Sequence, residues 1–286
     1  MPIKKLAGAY MRINSTYANL LPSEKKLADY IVKNKEYVEN HSINELAEMA
    51  GVSTATVTRF CKHLGYDGFK DFRFSTIKDM KNGRASWADI SIKNEDVVDV
   101  LIAKTCESNA NACLGTELLL DANGLEQAGK LMLEAKRIFI FGEGAVAPIA
   151  LDFYQKMLRI GVICIYCLDV KMQKMNATLS MPDDVAIIFD LSGYNKVSNN
   201  WLKTLKSNGT KTITVCNTIG SPLGIGGDIN IFGPGKKKTD VTGTQSPRIA
   251  LFCIIDCLFN LIFQKSKAEC QISLEKTRQV IIGEWI

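Results

Sequence analysis

Ser42-Ile-Asn-Glu-Leu-Ala-Glu-Met-Ala-Gly-Val-Ser-Thr-Ala-Thr-Val-Thr-Arg-Phe-Cys-Lys-His-Leu-Gly65 spells out two short helices and the turn between them. Ser42 and Glu45 have the spacing of a capping box, in which the hydroxyl accepts from an amide of the first turn and the glutamate reaches back to the free amide of residue 42. A helix is therefore expected from Ile43, with Leu46, Met49 and Ala50 on one side. It ends at Gly51, because glycine accepts the positive φ of a tight turn without steric cost. Ser53 then has the chemistry of an N-cap for a second helix. In that helix Val57, Phe60, Cys61 and Leu64 recur at helical spacing as one apolar stripe, and Gly65 supplies the stop.

At about 100° per residue, Ala55, Thr56, Arg59, Lys62 and His63 turn away from that stripe, with Thr54 at the helix start. Such a face suits nucleic acid. Short hydroxyls allow close approach to phosphates, the N-terminal amides favour an anion, and an arginine fork matches a guanine edge or the backbone. The candidate DNA-binding set is thus Ser53, Thr54, Thr56, Arg59, Lys62 and His63. Residues 51–78 carry five Lys or Arg against two Asp, a modest basic footprint, whereas the formal charge of +5 over the whole chain decides nothing. A merely solvated polar face has the same composition, and for an isolated helix pair both readings stay open.

Outward from this pair, apolar residues recur at helical spacing from the first residue to about Met80, with no strand-like run, so residues 1–80 are expected to form an all-α helix-turn-helix domain. The polar stretch Lys81-Asn-Gly-Arg-Ala-Ser86 opens an expected linker over 81–95. The segment from about Asn94 to Lys136 is again helical, with a break expected at Asp121-Ala-Asn-Gly124. Past Arg137 the period changes to five short apolar runs, at 137–141, 162–166, 185–189, 212–216 and 229–232, separated by amphipathic stretches near 146–160, 196–208 and 246–264. Strands apolar on both faces and helical crossovers imply an α/β domain over 96–286 with a five-stranded parallel sheet in three α/β/α layers. A chain of 286 residues, 47% hydrophobic, has enough apolar material for both cores.

Leu21-Pro-Ser-Glu-Lys-Lys-Leu-Ala-Asp-Tyr-Ile-Val32, Ser42–Ala47, Val52–Tyr66 and Gly68-Phe-Lys-Asp-Phe72 together resemble the RpiR family of regulators across residues 11–75. The resemblance implies a winged-helix-like or homeodomain-like reader of double-stranded operator DNA that works as a homodimer or homotetramer. It also implies a C-terminal sugar isomerase (SIS) fold over about 125–265, which in these regulators senses a sugar or phosphosugar effector without catalysis. The loops that carry this part are Gly142-Glu-Gly-Ala-Val-Ala147, Phe189-Asp-Leu-Ser-Gly-Tyr-Asn195, Asn217-Thr-Ile-Gly-Ser-Pro-Leu223 and Gly227–Asn230, followed by Arg248–Leu251 with Asp256. The first three fall at carboxyl ends of strands, where open parallel sheets bind ligands. The candidate ligand-binding set is Gly142, Gly144, Asp190, Ser192, Gly193, Asn195, Asn217 and Ser221.

Family members usually carry Ser, Ser, Thr and Thr where this chain has Val146, Asp190, Asn195 and Cys216. Asp190 puts a carboxylate where an anion is expected to bind, and it repels phosphate more strongly as the site dries. Unless a cation or a lysine offsets that charge, the effector is less anionic than usual, a neutral or amino sugar; an ordinary phosphosugar and a domain that serves only as a dimerisation scaffold both stay open. Lys236-Lys-Lys238 has two readings, a cationic cover for the site and a solvated loop. The apolar helix opened by Arg248 is suited to packing on the sheet or against a second subunit.

An isomerase needs a tuned base, and both histidines, His41 and His63, lie in the first domain, which leaves Glu143 as the sole glutamate of the sheet loops. Gly142-x-Gly144 fails as a dinucleotide fingerprint because Ala147 and Pro148 follow. Cys164-Ile-Tyr-Cys167 has CxxC spacing but no second pair or nearby histidine. No catalytic residue, metal or cofactor is expected. The nine cysteines in apolar contexts, no secretory layout at the start and no apolar run of about 18 residues point to a cytoplasmic protein without a membrane partner.

Overall fold

The computed structural model describes residues 8–81, 92, 95–235 and 245–282. They form two compact units: the first runs to Leu119 and also takes in Thr218–Gly220 and residues at both ends of 234–246, and the second holds the rest. The helix at 98–119 thus groups with the first unit and not with the domain expected over 96–286. The first unit contains α1 (Ala9–Thr16), α2 (Pro22–Lys33), α3 (Lys35–Asn40), α4 (Ile43–Ala50), α5 (Thr54–His63), α6 (Phe69–Lys81) and α7 (Val98–Leu119). The expected stripe of Val57, Phe60, Cys61 and Leu64 is fully buried, together with Leu27, Ile31 and Phe72. Phe72 meets Phe60 and Tyr66 edge-on at centroid separations of 5.8 and 5.5 Å, a favoured aromatic geometry. Buried Asp79 accepts from the amides of Ala9 at 2.6 Å and Tyr10 at 3.3 Å, so α6 satisfies the open amides at the start of α1. The expected linker and Lys236–Lys238 fall largely or wholly outside the described residues.

The second unit contains β1 (Ile138–Phe141), β2 (Cys164–Ile165), β3 (Val185–Phe189), β4 (Lys211–Cys216) and β5 (Ile229–Phe232), all parallel in the order β2-β1-β3-β4-β5. Its helices are α8 (Ala122–Glu134), α9 (Ala147–Arg159), α10 (Val170–Thr178), α11 (Lys196–Ser207), α12 (Pro222–Gly226), α13 (Gln245–Lys265) and α14 (Lys267–Ile282). Side chains alternate along each strand. Ile138, Ile140, Val185, Ile187, Phe189, Ile213, Val215, Ile229 and Ile231 pack with α8, α9 and α13. On alternate positions Phe141 meets Trp201 of α11 at 5.4 Å.

The expected break at 121–124 is shorter than read: Asp121 precedes α8, and Gly124 lies inside it. The strand expected at 162–166 shrinks to two residues because this edge strand pairs only with Ile138 and Phe139. Contrary to expectation, Pro247–Lys265 is long and apolar enough to cross a bilayer by length and composition. Leu251, Ile254, Ile255, Leu258 and Ile262 of that stretch are wholly buried in the core with the sheet, which accounts for part of the apolar composition.

Arg137 and Asp184 precede β1 and β3 and bolt them together: Arg137 Nε and Nη2 donate to the two carboxylate oxygens at 2.9 and 2.6 Å. The Met181 amide adds a third bond at 2.8 Å. Burial pushes the Asp184 carboxyl up, but Arg137 and that amide pull it further down, leaving it below its ordinary value of 3.8. Its stabilising contribution is thus complete above about pH 4 and is lost as pH falls through the lower folded value. Asp184→Ala is expected to lower unfolding free energy by about 2–3 kcal/mol in urea titration. The figure stays modest because the Arg137 side chain keeps 35% of its surface in water.

Candidate functional sites

The turn between α4 and α5 forms as its chemistry dictates. Ser42 Oγ accepts from the Glu45 amide at 3.3 Å while the Glu45 carboxylate accepts from the Ser42 amide at 2.7 Å. Gly51 closes α4 at φ 61°, and Ser53 Oγ caps α5 by accepting from the Thr56 amide at 3.1 Å. Thr54, Arg59 and Lys62 lie on the exposed face. Thr56 does not. It is buried, with Oγ1 2.9 Å from Ser53 Oγ. The physical reason is angular: Thr56 sits only about 40° beyond Phe60, the edge of the apolar stripe, and packing there widens the buried arc to include it. Its hydroxyl therefore completes the cap, and Ser53, though exposed, spends its own hydroxyl there too.

His63 falls near the same edge and is tied down by a residue outside the candidate set. Glu24 of α2 has a fully buried side chain, with Oε2 3.2 Å from His63 Nδ1 and Oε1 3.4 Å from Arg59 Nε. It also accepts from the Leu21 amide at 3.0 Å, which caps α2. Glu24 Oε1 makes no well-formed hydrogen bond, so the nearby guanidinium charge is its compensation. Arg59 thus meets the protein through its Nε edge, while its side chain stays 56% exposed. The signal available in the sequence was a glutamate three residues after Leu21, the N3 position of a helix start. The further reach to α5 is tertiary.

In the second unit, Gly142, Asp190 and Asn217 come together at the carboxyl edge of the sheet, directly after β1, β3 and β4. Several of their backbone and side-chain groups are already engaged. The Gly142 amide donates to Gln173 Oε1 and its carbonyl accepts from Gln173 Nε2, both at 3.0 Å. Asp190 Oδ1 accepts from the amides of Ser192 and Gly193 at 2.8 Å each and from Ser192 Oγ at 3.1 Å. The carboxylate expected to repel an incoming anion in fact occupies the donors such an anion needs. Its other oxygen, Oδ2, is buried without a hydrogen-bond partner.

Asn195 caps α11 through the Val197 amide at 2.8 Å and donates to Glu143 Oε1 at 2.7 Å, joining the loops that follow β3 and β1. Ser221, fully buried, caps α12 by accepting from the Gly224 amide at 3.1 Å, and Asn217 Nδ2 holds the Pro247 carbonyl at 3.0 Å. Gly144 is exposed, with no atom within 4 Å of where a Cβ would stand. Burial pushes the Cys164 thiol up to about 12 and also raises Cys167, so neither is a ready thiolate near neutrality.

A capped helix-turn-helix in one unit and a five-stranded parallel sheet in the other define a helix-turn-helix transcriptional regulator with a SIS domain. Residues 7–83 match the helix-turn-helix domain of the rpiR family, and residues 131–253 match the SIS domain. An uncharacterized HTH-type transcriptional regulator of Caldanaerobacter subterraneus subsp. tengcongensis is 31% identical over 269 residues, covering 94% of this chain and 95% of the relative. The chain belongs to the RpiR family of transcriptional regulators. The HTH-type transcriptional regulator HexR of Escherichia coli is 26% identical over 270 residues, 94% of this chain and 93% of HexR. In fold, the chain is similar to the Vibrio vulnificus NanR protein complexed with ManNAc-6P, with a TM-score of 0.61 at 22% identity over 94% of this chain and 96% of that one.

Proposed function

We propose that this regulator controls genes of carbohydrate metabolism from the cytoplasm, binding double-stranded operator DNA as a homodimer or homotetramer. Residues 1–80 read the DNA, with Thr54, Arg59 and Lys62 on the contacting face of α5 and His63 beside it. Residues 96–286 bind a sugar or sugar-phosphate effector at the carboxyl edge of the sheet, and the effector shifts the population of subunit arrangements that match the operator half-sites. The observation that carries this reading is the exposed face of α5, held at its rear by buried Glu24. The NanR complex with ManNAc-6P supports an effector of the sugar type.

No turnover is part of this reading. Close relatives are named as regulators, and Glu143, the glutamate of the sheet loops, is held by Asn195 rather than poised beside a proton-transfer partner. A gel-shift titration of the intact protein on the promoter nearest its gene, with and without sugars, tests the proposal. Sequence-preferring binding whose midpoint moves with a sugar is expected. Binding with no sequence preference overturns it.

A further inference from the structure

Asp190 stands immediately after the central strand β3, on a residue only 5% exposed. Its Oδ1 fills the loop donors, the amides of Ser192 and Gly193 and the Ser192 hydroxyl. That leaves Oδ2 as a dry carboxylate oxygen with no hydrogen-bond partner, an arrangement that a donor bearing positive charge relieves. A second carboxylate, Glu143, follows the neighbouring strand β1 and is drawn to the β3 loop by Asn195. The carboxyl edge of the sheet thus carries two carboxylates, the Asp190 one buried, and the loop donors suited to an anion are taken by Asp190 itself.

We propose that the effector is a sugar bearing an ammonium group, with Asp190 Oδ2 as its counter-charge. This rests on the reading of the carboxyl edge as an effector site. A protonated amine offers three donors and a full charge, whereas the hydroxyl it replaces offers one donor and none, so the discrimination is between amine and hydroxyl at one ring position. An N-acetyl group, neutral at the same position, offers Oδ2 a single amide N–H and no charge. Arg248 follows Pro247, whose carbonyl Asn217 holds, and its Nε is buried without a hydrogen-bond partner. It is a candidate partner for a separate acidic group on the ligand. For that reason the test compares each amine with its hydroxyl counterpart both with and without a phosphate.

The experiment is calorimetric titration of the intact protein with glucosamine, galactosamine and mannosamine against their parent hexoses. Glucosamine 6-phosphate against glucose 6-phosphate and N-acetylglucosamine complete the set. In any pair that binds, the amine is expected to be tighter by at least about tenfold. Asp190→Asn keeps an oxygen for the two loop amides but removes the charge, and it is expected to cut the preference below about threefold. Thermal unfolding of that variant checks its fold, and Asp190→Ser is the second variant should it unfold early. Equal affinity for amine and hydroxyl sugars, or a preference that survives in both variants, overturns the inference and leaves the effector reading standing. Binding of none of these sugars overturns both.

Discussion

Arg59→Ala is expected to weaken operator binding by about 10- to 100-fold per half-site, the value of a well-placed arginine contact to a base edge. Its effect on folding should be much smaller. The side chain is 56% exposed, so its loss opens no core cavity, but Glu24 loses one of the two groups beside its buried carboxylate. A stability loss of about 1 kcal/mol follows from that exposed-to-buried pairing. Glu24→Gln separates the two effects. The amide oxygen still accepts from the Leu21 amide, while the charge that holds Arg59 by its Nε edge is gone. This variant should bind DNA less well than the parent and better than Arg59→Ala. In Arg59→Ala combined with Glu24→Gln, the stability should return and the affinity should not. Anisotropy titrations at fixed salt on the operator and on single base-pair variants provide the measurement. An Arg59→Ala protein with unchanged affinity and unchanged base preference places the residue on a solvated face.

The helices around Ser42–Gly65 were legible because their determinants are local. A hydroxyl and a carboxylate three residues apart, a glycine at φ 61° and a stripe at helical spacing each act over one turn of chain. The strands were legible for a different reason: runs apolar on both faces have no place except inside a covered parallel sheet. What the sequence hid lies across the chain. Thr56 was read as exposed because 100° spacing cannot say how wide the buried arc is, and packing around Phe60 widened it to include Thr56. Glu24 and Gln173 act on partners 39 and 31 positions away, through contacts that exist only once their helices dock. Asp190 falls directly after β3, where the strand pattern puts it. Its turn back onto the Ser192 and Gly193 amides depends on loop conformation, and the residue type alone does not contain that information.

Gly193→Ala is expected to be among the most damaging single substitutions in the second unit, at about 3–4 kcal/mol. The residue has φ +73°, where an L side chain costs about 1–2 kcal/mol by itself. The new Cβ would also stand 2.0 Å from Ser221 Oγ and 2.7 Å from Ser221 Cβ, so either the loop or the Ser221 cap must move. Movement of the loop breaks the 2.8 Å bond from the Gly193 amide to Asp190 and the 3.1 Å bond from the Leu223 amide to the Gly193 carbonyl. Effector binding at the carboxyl edge should therefore fall with stability. Second substitutions at residue 221 tell strain from overlap. Ser221→Ala leaves the Cβ that collides, so it should not rescue. Ser221→Gly removes both colliding atoms, and a serine-to-glycine change at an N-cap costs only about a few tenths of a kcal/mol. The Gly193→Ala, Ser221→Gly pair should thus recover to about the 1–2 kcal/mol of backbone strain alone. Equal urea midpoints for Gly193→Ala with and without Ser221→Gly would mean that the damage is strain in the loop rather than its contact with the α12 cap.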